Sequence, residues 1–328
     1  MNLPELLQIS GYYWRTCTLH AGVKMDLFSP LGQAPMTAEA LARLLHADPR
    51  GLEMLLNGLC AMELLEKEGQ DFRCNEFSAT YLSKHSPQYM GHIIMHHHYL
   101  VEAWNKLDQA VQTGAPVRKN SSHDTDGRER ESFLMGMFNL ANHLAPQLAE
   151  QLDLGGKERL LDLAGGPGTY AIHFCKKYPQ LEAVVVDLPT TRPFAEATIA
   201  RFGLSDRIRF LAGDVLEDPI GSGFDVVWIS HLLHSLAPGT CQSVVDKATG
   251  ALARGGQVLI QEFILEDNRT KPLHPALFSL NMLLGTTSGQ AYSERDLLTM
   301  LNRAGMVAVH RLPITLPNGA GVMSGIKP

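Results

Sequence analysis

A glycine-rich turn set between an apolar run and a helical stretch constrains this chain more than any other feature. Residues 159–164 read Arg-Leu-Leu-Asp-Leu-Ala, a strand; Gly165-Gly166-Pro167-Gly168 makes the turn, and Thr169–Lys177 the helix after it. That is the opening of a nucleotide-type α/β unit, in which glycines permit positive φ and let a ligand approach the backbone closely. The spacing departs from G-x-G-x-x-G, since Thr169, Tyr170 and Ala171 follow Gly168. Asp162 also stands at the strand end, where a pyrophosphate would have to lie close. Its carboxylate disfavours a phosphate-bearing ligand and favours one with a positive centre and an amino acid moiety.

The following strands end alike. Residues 183–186 run into Asp187-Leu188-Pro189. A carboxylate there, about 20 residues after the glycine turn, is placed to accept both ribose hydroxyls of a nucleoside. Residues 208–211 run into Gly213-Asp214-Val215, where Asp214 can accept from an adenine amino group with Val215 against the ring. A lone acid after a strand is usually a cap or turn former. Three strands ending in an acid or a glycine turn at one sheet edge point instead to a site, because ligands bind at the carboxyl ends of parallel strands. A fourth strand, 224–229, leads into Ser230-His231-Leu232-Leu233-His234-Ser235, and a fifth, 257–261, ends at Glu262. On neighbouring strands about 4.8 Å apart, His234 and Glu262 meet as a base and the carboxylate that orients it. Taken singly, each has a blander reading, a hydrogen-bonded helix histidine and a surface cap. Residues 305–313 and 321–326 read as two strands joined by a Pro-Asn-Gly turn, which must pair antiparallel.

Ahead of residue 155 the pattern is helical almost throughout. Thr37 is a cap before Leu41, Leu44 and Leu45, and Asp48-Pro49 an N-cap with proline at the first helical position. Leu52, Leu55, Leu56 and Leu59 fall at i, i+3, i+4 and i+7 of a helix expected to end near Glu68-Gly69. A short β excursion over 71–77 completes a winged-helix pattern. Residues 1–90 hold seven basic against ten acidic side chains, and the expected recognition helix, residues 51–67, has Glu53, Glu63 and Glu66 against Lys67. Such a face is repelled by phosphates, so the segment reads as a module that pairs two subunits rather than a reader of nucleic acid. A cofactor-sensing DNA regulator is the reading this disfavours.

With 328 residues, 45% of them hydrophobic and 19% charged, the chain suffices for two globular domains. The boundary falls in a segment rich in small and charged residues, 113–131. Cys17, Cys60, Cys74, Cys175 and Cys241 are scattered without a C-x-x-C pair, so neither a disulfide framework nor a zinc ribbon is expected. No run approaches the ~20 apolar residues that span a bilayer, and the first residues lack an apolar signal core. A cytoplasmic chain that touches neither membrane nor nucleic acid is the expectation. His92, His96, His97 and His98 precede Trp104 on a helix, but no carboxylate or cysteine stands at ligand spacing. They read as polar lining or packing, and no metal is expected.

The stretches Leu-Leu-Asp-Leu-Ala-Gly-Gly-Pro-Gly-Thr, Val-Val-Asp-Leu-Pro, Gly-Asp-Val, Leu-Leu-His-Ser and Gly-Gly-Gln-Val-Leu-Ile-Gln-Glu are specific in this order and spacing. Over nearly its full length the chain resembles the small-molecule O-methyltransferases of the caffeate and acetylserotonin type, including their bacterial antibiotic and pigment relatives. The resemblance implies a winged-helix dimerisation domain with following helices over 1–112, a linker over 113–131, and a class I methyltransferase domain over 132–328. It implies an α/β fold whose Rossmann-like sheet has a parallel core and an antiparallel C-terminal hairpin, and a homodimer.

The same resemblance implies S-adenosylmethionine as cofactor, S-adenosylhomocysteine as its product, and a small aromatic or polyketide-like hydroxyl as acceptor. Asp162, Gly165, Gly166 and Gly168 then line the methionine end, Asp187 and Leu188 the ribose, Asp214 and Val215 the adenine. His234 falls on the general base and Glu262 on the carboxylate beside it. Met137, Phe138, His231 and Met282 fall on the acceptor side, where polarizable thioethers suit aromatic faces; packing in a core is the plainer use of each methionine. Four positions depart from the plant pattern. Ser230 stands where a lysine often contacts the cofactor, and Ala291 where a second glutamate lies near the base. Ser235 replaces an aspartate, and Ala164 the first glycine of a triplet, a change the loop is expected to tolerate. Carbon or nitrogen methylation on the same fold, with His234 only positioning substrate, is the alternative reading.

Overall fold

The computed structural model describes residues 1–119 and 127–328, in two compact units. Met1–Val101 with Gly127–Asn139 form the first, and Glu102–Asp126 with Leu140–Pro328 the second. Among the described residues no helix is long and apolar enough to cross a membrane.

The first unit is helical with a small sheet. Its elements are α1 (Leu3–Gly11), α2 (Tyr13–Lys24), α3 (Phe28–Leu31), β1 (Met36–Thr37), α4 (Ala38–Leu45), α5 (Pro49–Ala61), β2 (Leu65–Glu68), β3 (Asp71–Cys74), α6 (Glu76–Tyr81) and α7 (Gly91–Trp104). The caps stand as expected: Thr37 Oγ1 accepts from the Ala40 N–H at 3.2 Å, and Asp48 Oδ1 from the Gly51 N–H at 2.7 Å. Leu52, Leu56 and Leu59 are buried against Leu41, Phe28 and Phe72. The helix after Asp48 stops at Ala61, well short of Glu68. Glu63 takes φ +60°, in the left-handed region that a helix cannot continue through. Leu65–Glu68 then pairs antiparallel with Asp71–Cys74 around Gly69, so the wing takes its first strand from the expected helix. Glu63, Glu66 and Lys67 therefore leave the helix face; Lys67 lies 3.6 Å from Glu53, and Arg73 2.8 Å from Glu66.

The second unit takes in the last turn of α7 from Glu102 and then α8 (Leu107–Thr113), while α9 (Gly127–Gln151) belongs to the first unit through Asn139 and to the second from Leu140. Within the expected linker, the Val117 and Arg118 N–H groups both donate to the Leu284 carbonyl, at 3.0 and 3.1 Å, while residues 127–131 open α9. Residues 120–126 lie outside the described chain. There follow β4 (Arg159–Leu163), α10 (Thr169–Lys177), β5 (Glu182–Asp187), α11 (Arg192–Arg201), β6 (Ile208–Ala212), β7 (Phe224–Ser230), α12 (Pro238–Ala251), β8 (Leu252–Leu265), α13 (Leu273–Gly285), β9 (Tyr292–Ser293), α14 (Glu294–Arg303), β10 (Val307–Arg311) and β11 (Ala320–Ile326).

The strand order is β10-β11-β8-β7-β4-β5-β6, with β9 beside β8. Strands β4 to β8 pair parallel, and β11 pairs antiparallel with both β8 and β10. Val226, Val227, Trp228 and Ile229 are fully buried, as a strand covered by helices on both faces requires. Trp228 packs with the rings of Tyr170 and Phe174, each at 5.1 Å. From β4 the chain moves outward to β6, then returns past β4 to β7. The switch point between β4 and β7 therefore lies at their carboxyl ends, where ligands bind in open α/β sheets. One expectation needs correction: β8 runs on to Leu265, so Glu262 lies inside the strand rather than just past its tip. Pairing with β11 through Phe263 carries the strand onward.

One imidazole in each unit is held neutral. Burial, then His98 and His97, push the His20 pKa down to about 4; burial and then Lys176 do the same to His173. In an unfolded chain both protonate near pH 6.5. Between about pH 6.5 and 4 the unfolded state thus binds more protons, and stability falls as pH drops through that window. We expect His173→Gln to lose less of its thermal midpoint than the parent between about pH 7 and about pH 5. Parallel losses in the two proteins would contradict this.

Candidate active site

Backbone conformation shapes the glycine turn after β4. Ala164, Gly166 and Gly168 have φ of +55°, +55° and +76°. The loop does accommodate alanine at 164, yet in a left-handed conformation costing about 1–2 kcal/mol for any residue with a Cβ. At Gly165 the constraint is space: a Cβ would stand 2.5 Å from Asp162 Cγ. Asp162 is almost wholly buried, and neither carboxylate oxygen makes a well-formed hydrogen bond among the described residues, though the Ala171 amide acts on the carboxylate. Burial pushes its pKa up to about 7; the Asp187 charge acts in the same direction, and the Ala171 amide only partly offsets them. A buried acid short of donors beside a glycine cradle fits a ligand bringing a positive, hydrogen-bearing group.

Asp187 closes the turn from the second strand. Its Oδ2 accepts from the Gly166 N–H at 2.8 Å, and its Oδ1 from the Leu188 N–H at 2.7 Å and the Thr191 hydroxyl at 2.9 Å. Asp214 is held in a turn, with Oδ1 accepting from the Leu216 N–H at 2.8 Å and its own N–H donating to Asp218 at 2.8 Å. Val215 is buried beside it, its carbonyl accepting from Lys247 Nζ at 2.9 Å. Asp218 and Lys247 escaped the sequence reading because neither lies in a recognisable spacing. Ser230 ends β7 and, with Gln261, draws on the buried Tyr170 phenol, which burial itself pushes up to about 12.

The imidazole and carboxylate meet as their strands dictate. Ser230 pairs with Gln261 across β7 and β8, which sets the 230–234 turn beside Glu262. His234 Nδ1 lies 2.8 Å from Glu262 Oε2, and the His234 N–H donates to Oε1 at 3.2 Å. An ionised carboxylate only accepts, so Nδ1 carries the proton and Nε2 keeps its lone pair. Burial alone would raise the Glu262 carboxyl, but His234 and His231 beside it hold it well below the usual range. Phe278 meets the His234 ring edge-on at 4.7 Å, and Phe263 lies 4.8 Å from Phe278. These two aromatics were not legible as site residues.

His231 stands 3.7 Å from Glu262 through Nδ1, its ring 4.4 Å from that of Phe263. Among the described residues, His231, His234 and Glu262 are the one grouping with the types and spacing to hold a metal ion. Two ligands around tetrahedral zinc stand about 3.3 Å apart, so the 2.8 Å contact is that of a shared proton. The histidines of α7 do not converge with a third ligand in the described residues. Met282 is buried on α13 at i+4 from Phe278, hence on the same helix face. Met137 and the buried Phe138 lie on the part of α9 that belongs to the first unit.

The second unit thus brings together a glycine turn after β4 beside a buried acid, and a buried imidazole–carboxylate pair past β7 and on β8. The strand order with its reversed terminal hairpin is that of the Rossmann-like methyltransferases. Residues 7–85 match the O-methyltransferase dimerisation domain and residues 101–307 the O-methyltransferase domain; the chain belongs to the O-methyltransferase family. It is 34% identical to the 3-hydroxy-5-methyl-1-naphthoate 3-O-methyltransferase of Streptomyces sahachiroi, over 99% of this chain and 95% of that one. It is 30% identical to the N,N-dimethyltransferase OxyT of Streptomyces rimosus, over 88% and 87%. An O-methyltransferase family protein from Burkholderia thailandensis superposes with a TM-score of 0.89 at 28% identity, over 100% and 98% of the two chains.

Proposed function

We propose that this enzyme moves a methyl group from S-adenosylmethionine to a hydroxyl oxygen of a small aromatic or polyketide-like acceptor, with His234 as general base oriented by Glu262. The buried 2.8 Å contact between His234 Nδ1 and Glu262 carries the reading. When bound, the sulfonium supplies a methyl carbon already activated for transfer. Asp162 and the glycines at 165, 166 and 168 would hold its amino acid end, Asp187 and Leu188 its ribose, and Asp214, Val215 and Ser230 the remainder. Met282, on the same face of α13 as Phe278, would line the acceptor, with His231 behind the base.

His234 Nε2 takes the acceptor hydroxyl proton, and the oxygen keeps the electron pair of the O–H bond. The resulting imidazolium keeps its Nδ1–H on Glu262, so the new positive charge forms beside a buried negative one. Phe263 and Phe278 keep water from the pair. Exposed Leu3, Leu6, Leu7, Tyr13 and Trp14 on the first two helices suit a homodimer formed through the N-terminal domain.

Similarity to an N,N-dimethyltransferase favours one second reading, transfer to an amine with His234 positioning substrate. Labelled methyl donor, offered with phenols, quinols and matched aromatic amines, separates the two. Label is expected on oxygen; incorporation into amines alone would overturn the proposal.

A further inference from the structure

His231 is built into the site with more care than a residue that merely lines a pocket. Its backbone takes φ +52°, a conformation rarely adopted by a residue with a side chain, and its N–H is tied to the Gln261 carbonyl at 2.9 Å. The turn thereby aims the ring inward, onto Phe263 at 4.4 Å. Gln261 is fully buried, and its side-chain nitrogen lies 3.2 Å from His231 Nε2. An amide nitrogen donates, so Nε2 accepts and the His231 proton sits on Nδ1. That N–H is buried, has no hydrogen-bond partner among the described residues, and lies 3.7 Å from Glu262 Oε2, the oxygen that also receives His234 Nδ1.

We propose that His231 is a positioning residue for the base: it presents a second N–H to Glu262 and holds that carboxylate against His234 through the proton transfer. The role rests on His234 being the base. The titratable groups facing His231 are Glu262 on β8, His234 on its own turn and His274 on α13, whose pKa is lowered by burial and then by His231. Sharing a carboxylate oxygen between two donors has a definite sign. Each draws on the same negative charge, so removing His231 leaves more of it to His234 and makes the His234 imidazolium harder to deprotonate.

The test compares His231→Leu, which has no donor, with His231→Asn, whose amide nitrogen can stand where Nδ1 stands and which tolerates positive φ. In His231→Leu, kcat for a phenolic acceptor is expected to fall about tenfold. The acid limb of its kcat–pH profile should move to higher pH, and the acceptor KM should change by less than about twofold. His231→Asn should recover most of kcat and return the limb toward the parent. Thermal unfolding of both variants checks that they fold. A raised KM with kcat and the acid limb unmoved would make His231 a substrate contact and overturn the proposal, as would equal losses in the two variants. If His234→Gln keeps full turnover, the base assignment itself has failed. If that variant is inactive while His231→Leu matches the parent, only the role of His231 has.

Discussion

His234→Gln is expected to lower kcat by about 10²–10⁴-fold while leaving cofactor binding within a few-fold of the parent. Glutamine has the length to fill the site but no basic nitrogen, so the acceptor hydroxyl keeps its proton. The size of the loss depends on the acceptor. A phenol with a pKa above the assay pH needs the base, whereas an acidic phenol reaches the site already ionised and should be spared. Single-turnover rates with a series of phenols, set beside calorimetric titration of the cofactor, make the comparison. Loss of the His234 partner also strands the buried Glu262 charge, and a stability cost of about 3–5 kcal/mol accompanies breaking such a pair. The thermal midpoint must therefore be recorded for the same preparation. Undiminished turnover with a weakly acidic phenol would remove His234 as the base.

The second large effect concerns Asp162, where function and stability oppose each other. Its carboxyl rises to about 7 in the folded protein, against an ordinary value just below 4. Across that window the folded state binds more protons than the unfolded one, so stability falls as pH rises and the full penalty is present above about pH 7. Asp162→Asn removes the charge, and the ligand-free protein should gain on the order of 2–4 kcal/mol near pH 8 and almost nothing near pH 4. Cofactor binding should meanwhile weaken by about tenfold or more, because a charge-assisted hydrogen bond is lost. Unfolding curves at both ends of the window, with calorimetry near pH 8, test the trade. A variant less stable than the parent near pH 8 would contradict this account.

The strands of the second unit were legible because each advertises its end: a glycine turn after β4, Asp187 after β5, Asp214 after β6 and the histidine turn after β7. Antiparallel pairing of the last two strands followed from the short turn between them. Capping was legible for the same local reason, as Thr37 and Asp48 show. What escaped depends on residues far apart or on conformations that composition does not mark. Glu63 adopts a left-handed φ with nothing in its type to announce it, so the helix after Asp48 was read through the first strand of the wing. The length of β8 is set by β11, which arrives after two α-helices and two further strands. Phe278 reaches His234 from α13, and no spacing links the two. The site's polar pair was therefore readable from strand neighbours, while the aromatic wall and the backbone of His231 were not.

The position of β11 has a consequence for how the protein comes into being. It inserts between β8 and β10 and sets Gly321 opposite Glu262. A nascent polypeptide that has left the ribosome only as far as α13 already carries both His234 and Glu262, yet its strand bearing the glutamate is an open edge. Until β11 docks, that edge is a template for any neighbouring chain on the same message. Completion of the sheet around Glu262 thus waits on β11, and chaperone protection matters most in the interval before that strand docks.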